Sequence, residues 1–167
     1  MTNFSFNLDR EIDTSQISLM NLEVINIIGK KKSKLPEWLF HLPCLKTLYL
    51  NLSQLTEIDT RLFEIESLEN LTIKNSKLTE IHFPRERKCE LKILNLSQNA
   101  LTQMPEGLEF FPHLELLNLS HNPINECHFS FLKLARLKFL YLDKVGFYLD
   151  QEALKEHPSL KLISNEN

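Results

Sequence analysis

The feature that most constrains this sequence is a segment that recurs every 23 residues. Each copy opens with a leucine, and all the intervals between these leucines have the same length. One such unit is too small to bury its own apolar face, so a repeating chain of this kind forms its core by stacking neighbouring units. The marker residues are Leu22, Leu45, Leu68, Leu91, Leu114, Leu137 and Leu160.

Within each copy the apolar residues follow a fixed order. They return at the fourth and sixth positions, as Leu94 and Leu96 do in the fourth copy. This alternation predicts a short strand with one face turned inward. Further apolar positions, the fourteenth, eighteenth and twenty-first, predict a helical or 3₁₀ segment that returns along the other side. Strands separated by a whole coil run parallel, so we expect one parallel sheet of seven strands.

Two stretches carry a family resemblance. LKILNLSQNALTQMP, from Leu91 to Pro105, and LELLNLSHNPINEC, from Leu114 to Cys127, resemble the leucine-rich-repeat consensus LxxLxLxxNxL. The resemblance is to the 23-residue intracellular or bacterial-type repeats and extends from Leu22 to Ile163. It implies an α/β class fold, a leucine-rich-repeat solenoid that winds as a right-handed β-α or β-3₁₀ superhelix with a parallel concave sheet.

The family's ninth position is usually an asparagine that caps backbone groups of the turn. Only Asn99 and Asn122 match it here, so the asparagine ladder is expected to be broken and the remaining turns looser. The third repeat also departs from the pattern, because Arg85 and Lys88 replace apolar residues. We expect a local shift to bring Phe83 and Cys89 into the gap. These departures from the repeat pattern do not change the predicted fold.

The whole chain, residues 1–167, is predicted to be a single domain with a lid at each end, since a terminal coil would otherwise expose its apolar face. Residues 1–21 are interpreted as an N-terminal half-repeat cap, residues 22–143 as repeats and residues 144–167 as a C-terminal capping repeat. Phe4, Asn7 and Ile12 fall in phase with positions six, nine and fourteen of a preceding repeat. In the last repeat, Asp150 is predicted to cap a helix that stops at Pro158.

Composition argues against several classes of function. The net charge of -3 does not suit a nucleic-acid binder, and 3 glycines leave no phosphate-cradling loop. No apolar run approaches the roughly 20 residues that cross a bilayer, and the start of the chain lacks the pattern of a secretory signal. The three cysteines are odd in number and far apart, which favours a reduced, cytoplasmic protein over a disulfide framework.

Catalytic and metal chemistry are also disfavoured. The six histidines do not converge with cysteines or carboxylates at ligand spacing, so we expect no metal and no cofactor. Ser97 and Ser120 belong to the recurring LxLSxN pattern rather than to a nucleophile elbow, and their hydroxyls are expected on the strand surface. We therefore expect a protein that is not an enzyme. For the oligomeric state, we favour a monomer.

The second position of each repeat carries charges of alternating sign. Neighbouring strands bring such residues close together, so this column is predicted to neutralise itself as a ladder. Recognition of a partner is the alternative role. The column reads Glu23, Lys46, Glu69, Lys92, Glu115 and Lys138.

Function is expected on the strand side chains that point away from the core. At the third position, Ile93, Leu116, Phe139 and Leu162 form a candidate apolar strip. Contiguous apolar surface usually marks a binding site, although this strip is alternatively packed against the flanking turns. We predict a protein partner on the concave sheet, for a scaffold, an inhibitor or a bacterial effector-type adaptor, with structural self-assembly as the alternative. The candidate binding residues are Tyr49, Thr72, Lys74, Ile93, Asn95, Leu116, Asn118, Phe139 and Tyr141.

Overall fold

The computed structural model describes residues 3–12, 14, 18–31, 33–127, 131–147, 149, 155 and 157–164. These residues contain one 8-stranded sheet in which every strand pairs in parallel with the next along the chain. The parallel solenoid is thus confirmed, with one strand more than the seven predicted. In chain order, β1 to β8 are Asn3–Asn7, Val24–Gly29, Thr47–Leu52, Asn70–Ile73, Ile93–Asn95, Leu116–Asn118, Phe139–Tyr141 and Lys161–Ile163.

Lys155, in the return segment before β8, is α-helical, whereas the regular return segments described before β7 are 3₁₀ turns. Each brings one or two apolar side chains back onto the core, as Leu62 and Phe63 do in the second repeat. No helix among the described residues has both the length and the apolar character to cross a membrane. The described 3₁₀ segments are Leu19–Asn21, Glu37–His41, Thr60–Glu64, Leu108–Phe110 and Phe131–Lys133.

The core lies between the sheet and these return segments. Leu48, Leu71, Leu94 and Leu117, all at the fourth position, are completely buried and stack from strand to strand. Their side chains are surrounded by the first-position and sixth-position residues of the same and neighbouring copies, most of which are equally buried. The period read from the sequence therefore corresponds to one coil of the solenoid.

Three phenylalanines repair the core in the third repeat. Phe83 lies edge-on to Phe63, with ring centroids 5.3 Å apart, and edge-on to Phe111, at 5.1 Å. Cys89 is fully buried beside them, whereas Arg85 is exposed. The predicted replacement of the missing apolar residues by Phe83 and Cys89 is confirmed. Burial raises the pKa of the Cys89 thiol to about 12, so this cysteine stays protonated at neutral pH.

The two ladder asparagines hold consecutive turns together. The amide nitrogen of Asn122 donates to the carbonyl oxygens of Leu96 and Leu119, both at 2.9 Å, and its oxygen accepts from the backbone nitrogen of Leu101 at 3.1 Å. Asn99 also donates to the Leu96 carbonyl, at 2.9 Å. The turn of the first repeat has no ladder asparagine. Its backbone nitrogens, those of Lys30 and Lys31, donate hydrogen bonds to the carboxylate of Asp9 instead.

The strands end differently in the two halves of the sheet. β2 and β3 continue through the eighth repeat position, whereas the later repeats turn at that position with a left-handed backbone. The residues with positive φ are Asn75, Gln98, His121 and Lys144. The N-terminal strands consequently offer a longer outer surface than the C-terminal strands.

Both ends of the stack depart from the predicted phase. Phe4 pairs with Ile25 and Phe6 with Ile27, so the first coil is two residues shorter than the repeat and Phe4 occupies the fourth column rather than the sixth. Phe6 and Leu8 are buried, and the Phe6 ring lies 4.9 Å from that of Trp38. The alternation of Phe4, Phe6 and Leu8 places this strand, so extrapolating the repeat length was wrong for Phe4 and Asn7. Ile12 packs against the core, as predicted for an apolar repeat position.

At the other end, the coil before β8 is one residue shorter than the repeat. Leu140 pairs with Leu162, and Tyr141 with Ile163. Leu162 therefore packs against the core, while Ile163 is exposed. The prediction that Leu162 extends the apolar strip was wrong, because Leu162 occupies the buried fourth column. Most of the predicted helix from Asp150 to Glu156 lies outside the described residues, and Pro158 lies in a turn.

Candidate protein-binding face

The side chains at the third, fifth and seventh repeat positions point away from the core, because the fourth and sixth positions are buried and a strand alternates between its faces. We call this surface the concave face. Every residue predicted as a binding site lies on it, in register across the strands. Ile93, Leu116 and Phe139 are aligned in one row, and Asn95, Asn118 and Tyr141 in the next.

Few charged residues occur on the concave face. Among its described residues, only Lys74, Asp143 and Lys161 are charged, although 25% of the whole chain is charged. Asp143 lies 3.3 Å from the ring of His121, and the Lys161 ammonium lies 5.8 Å from the centre of the Phe139 ring. Amides, hydroxyls, aromatic rings and aliphatic side chains make up the rest. Depletion of charge together with aromatic enrichment is typical of the centre of a protein interface.

The concave face also carries most of the exposed large hydrophobic residues among those described. Four large hydrophobic residues are exposed in the described part of the chain, and three of them lie here: Tyr49 at 44%, Ile28 at 41% and Ile163 at 39%. The fourth, Met20, is 62% exposed and lies in a 3₁₀ turn. Since all other large apolar side chains in the described residues are at least partly covered, this clustering singles out the concave face.

A hollow of about 410 Å³ occupies the N-terminal half of the concave face, over β1 to β4. It brings together three of the predicted binding residues, Tyr49, Thr72 and Lys74, from adjacent strands. Lys74 makes no ion pair with another described residue, so its ammonium is available at the rim. The remaining lining residues are Asn3, Ser5, Asn26, Ile28, Leu50 and Asn51.

Sequence reasoning missed part of this hollow. Asn3 and Ser5 belong to β1, and no outward residue of this strand was predicted to bind a partner. The signal that identifies them is the alternation of Asn3, Ser5 and Asn7 with the apolar Phe4, Phe6 and Leu8. Ile28 was missed because the seventh position was considered only for Lys74, although the extended β2 exposes this residue as well.

The predicted binding residues in the C-terminal half of the concave face are less exposed. Ile93, Leu116, Phe139 and Tyr141 are all half-buried, so both predicted aromatic residues are less accessible than Tyr49. Asn95 and Asn118 use their side-chain oxygens to accept from the backbone nitrogens of Ser97 and Ser120.

The two serines were expected at the surface, and this was wrong. Ser97 and Ser120 are both buried. The hydroxyl of Ser120 accepts a hydrogen bond from the backbone nitrogen of Asp143 on the next coil, at 3.1 Å. These hydroxyls sit where the strand is already closing into its turn, so they are covered by neighbouring backbone rather than by solvent.

The alternating charges border the concave face as separate pairs. Lys46 lies 3.4 Å from Glu23, Lys92 2.9 Å from Glu69 and Lys138 2.7 Å from Glu115. The hydrogen bond from Lys138 lowers the pKa of Glu115. This arrangement confirms the prediction of a self-neutralising column. The charges that border the concave face therefore already have partners.

Titratable clusters elsewhere are small. No group of three or more histidines, cysteines and carboxylates within the described ranges has the geometry to hold a metal ion. His82 hydrogen-bonds to Glu106 at 2.8 Å, and this bond raises the pKa of the imidazole. His157 is buried and its ring lies 3.0 Å from the carbonyl oxygen of Leu134.

Comparison with known proteins agrees with this architecture. The family model described as "Leucine rich repeat" matches residues 89–144. An internalin from Listeria monocytogenes has the same fold, with a TM-score of 0.73 at 18% identity, over 98% of this chain and 48% of that one. The chain is a leucine-rich-repeat solenoid. This confirms the resemblance and the fold class inferred from the repeat. No curated protein matches it in sequence.

Two further solved structures share the leucine-rich-repeat fold. A leucine-rich-repeat protein of Leptospira interrogans has a TM-score of 0.65 at 23% identity, over 83% of this chain and 35% of that one. The functional domain of internalin J from L. monocytogenes, which includes a cysteine ladder, has a TM-score of 0.64 at 21% identity, over 90% and 31%. The chain thus spans less than half the length of these structures. Leucine-rich-repeat domains are in general protein-interaction modules, and the scaffold is typically non-enzymatic.

Proposed function

We propose that this leucine-rich-repeat solenoid binds another protein through the concave face of its sheet and does not act as an enzyme. The observation that carries the proposal is the concentration of exposed apolar side chains, Tyr49, Ile28 and Ile163, on a face with few charges. Water contact at such side chains is unfavourable, so covering them with a partner is a source of binding free energy. Charged residues in the same place would oppose burial.

The N-terminal hollow is the preferred anchoring point. Tyr49 and Ile28 border a concavity of about 410 Å³, which offers space for a partner side chain next to an accessible aromatic ring. Tyrosines in such positions dominate the energetics of many interfaces, where truncation costs about 2 kcal/mol or more. Amides from Asn3, Asn26 and Asn51 supply hydrogen-bonding groups around this centre.

The C-terminal row extends the same surface. Phe139 and Tyr141 are half-buried, so they offer less new burial than Tyr49. Ile163 follows Tyr141 in register and is again exposed. We infer that a partner large enough to span several strands contacts both halves, with the N-terminal hollow contributing the larger share of the binding free energy.

The role of the complex and its location are part of the proposal. A scaffold, an inhibitor and an effector-type adaptor all use the same surface, whereas structural self-assembly requires a second copy as the partner. The exposed free thiol of Cys44 supports placement in the cytoplasm, because free cysteines persist in reducing compartments. The net charge of -3 supports a protein partner over nucleic acid.

The proposal is tested by comparing what the immobilised chain captures from the cell that expresses it. Wild type is compared with two double variants of the concave face. One combines Tyr49→Ala with Ile28→Ser, and the other combines Phe139→Ala with Tyr141→Ala. Met20→Ser is the matched control, since it removes a more exposed apolar side chain from outside the face. We expect mass spectrometry to find proteins that the control retains and that the Tyr49 variant loses.

Thermal unfolding establishes that each variant is folded before capture. Capture that is equal for folded wild type, control and both concave-face variants would contradict the proposed face. Recovery of the chain itself as the dominant captured protein, with loss in the same variants, would instead identify self-assembly.

A further inference from the structure

A second, larger concavity lies away from the concave face, among the return segments of the third to fifth repeats. Its volume is about 840 Å³. Apolar side chains form one part of its wall: Phe83, Met104, Pro105 and Phe110. Glu106, Glu109 and Glu126 form another part. We call this concavity the acidic groove. None of its lining residues belongs to the strands of the sheet.

The charge of the acidic groove is one-sided. The ionisable side chains of its lining are Glu106, Glu109, Glu126 and His82, and neither lysine nor arginine occurs among the lining residues. His82, also in the lining, hydrogen-bonds to Glu106 at 2.8 Å and lies 3.8 Å from Glu80. Glu109 makes no ion pair with another described residue. The groove therefore concentrates negative charge next to apolar surface, in contrast to the concave face.

The backbone holds the acidic groove in shape. Residues of adjacent coils are joined by two hydrogen bonds, from the Phe83 nitrogen to the Glu106 carbonyl oxygen at 2.8 Å and from the Glu106 nitrogen to the Ile81 carbonyl oxygen at 2.9 Å. Gly107 follows with a positive φ of 81°. A β-carbon there would lie 2.7 Å from the carbonyl oxygen of Phe83, so the close approach requires glycine. A preformed groove of this kind reduces the ordering cost of binding.

We propose that the acidic groove docks a basic peptide segment in which lysine or arginine residues are interspersed with apolar residues. The apolar wall of Met104 and Phe110 would cover aliphatic side chains and the stems of lysine or arginine, whose charged ends extend beyond their apolar parts. The carboxylates of Glu106, Glu109 and Glu126 complement those charged ends. The concave face offers no comparable charge, so the two surfaces select different partners.

The test uses a phage-displayed library of random peptides of about twelve residues, selected on the full chain. We expect recovered peptides to be enriched in lysine and arginine and to bind the chain more weakly as salt increases. The groove variant combines Glu106→Gln, Glu109→Gln and Glu126→Gln, which remove charge while keeping shape. Fluorescence anisotropy should show at least tenfold weaker binding of the selected peptides to this variant.

A charge-matched control separates the acidic groove from net charge. Glu57→Gln, Glu66→Gln and Glu86→Gln remove the same number of charges from exposed positions outside the groove. This control, and Tyr49→Ala on the concave face, should bind the selected peptides within twofold of wild type. Equal loss in the control, or loss with Tyr49→Ala, would overturn the assignment.

Two further outcomes would also overturn the proposal. One is recovery of peptides without lysine or arginine enrichment. The other is a molecular mass, measured by light scattering, that increases with protein concentration in wild type but not in the groove variant. The occupant of the acidic groove would then be a second copy of the chain. If the triple variant is unfolded by circular dichroism, the single change Glu109→Lys replaces it, because Glu109 makes no described ion pair. Unchanged peptide binding by folded Glu109→Lys would contradict the proposed docking site.

Discussion

Removal of the buried ladder asparagine Asn122 should be among the most damaging single changes in the solenoid. Its side chain is 1% exposed and hydrogen-bonds four backbone groups, two on its own coil and two on the preceding coil. Asn122→Ala leaves the Leu101 nitrogen and the Leu119 carbonyl without these partners. A buried polar group left unsatisfied costs about 1–3 kcal/mol, so we expect a loss of about 2–5 kcal/mol in the free energy of unfolding.

The Leu96 carbonyl makes the effect non-additive. It accepts from Asn122 and from Asn99, each at 2.9 Å, so either single substitution leaves it one partner. The double substitution Asn99→Ala with Asn122→Ala removes both. We therefore expect the double variant to lose about 1–3 kcal/mol more than the sum of the two single losses.

A double-mutant cycle by urea unfolding measures this coupling directly. The four proteins are wild type, Asn99→Ala, Asn122→Ala and the double variant, with m-values compared to verify that the same surface is exposed on unfolding. Losses that simply add would show that the shared carbonyl does not couple the two asparagines. A double variant that is less destabilised than the sum would refute the reasoning altogether.

Other perturbations test separate parts of the structure. Lys92→Glu, which replaces the partner 2.9 Å from Glu69 with a like charge, should lower thermal stability by under about 1 kcal/mol per contact, and added salt should reduce the loss. Gly107→Ala should cost more than about 1 kcal/mol in urea unfolding, because its φ is 81°. NMR titration should show a raised pKa for His82, and Glu106→Gln should lower it. The hydrogen bond between His82 and Glu106 stabilises the fold most at pH values below the unfolded-state pKa of about 6.5. Its contribution disappears as the pH rises through the folded-state pKa. A titration unaffected by Glu106→Gln would contradict the assigned cause.

The interior of the solenoid was predictable because the same pattern of buried positions recurs in each repeat. Once the leucines are aligned, burial of Leu94 and Leu117 and the pairing of Lys92 with Glu69 follow from the repeat. The repair of the third repeat by Phe83 was also predictable, since a gap in a stacked core must be filled by the nearest apolar residue.

The ends and the binding surfaces were less predictable. The coils before β2 and β8 are shorter than the repeat, and only the local alternation of Phe4 and Phe6 indicates the correct register at the first of them. The acidic groove depends on how Glu106 and Phe110 meet residues of neighbouring coils. The repeat locates each side chain on a coil, but it does not give the shape of the space between return segments.

The most direct test of the proposed concave-face interface is the dissociation constant of a captured partner, measured by isothermal titration calorimetry. Folded wild type, Tyr49→Ala with Ile28→Ser, and the Met20→Ser control are compared. We predict a loss of about 2 kcal/mol or more for the concave-face variant, which exceeds tenfold in affinity, and no significant loss for the control. Equal affinities for all three folded proteins would contradict binding through the N-terminal hollow of the concave face.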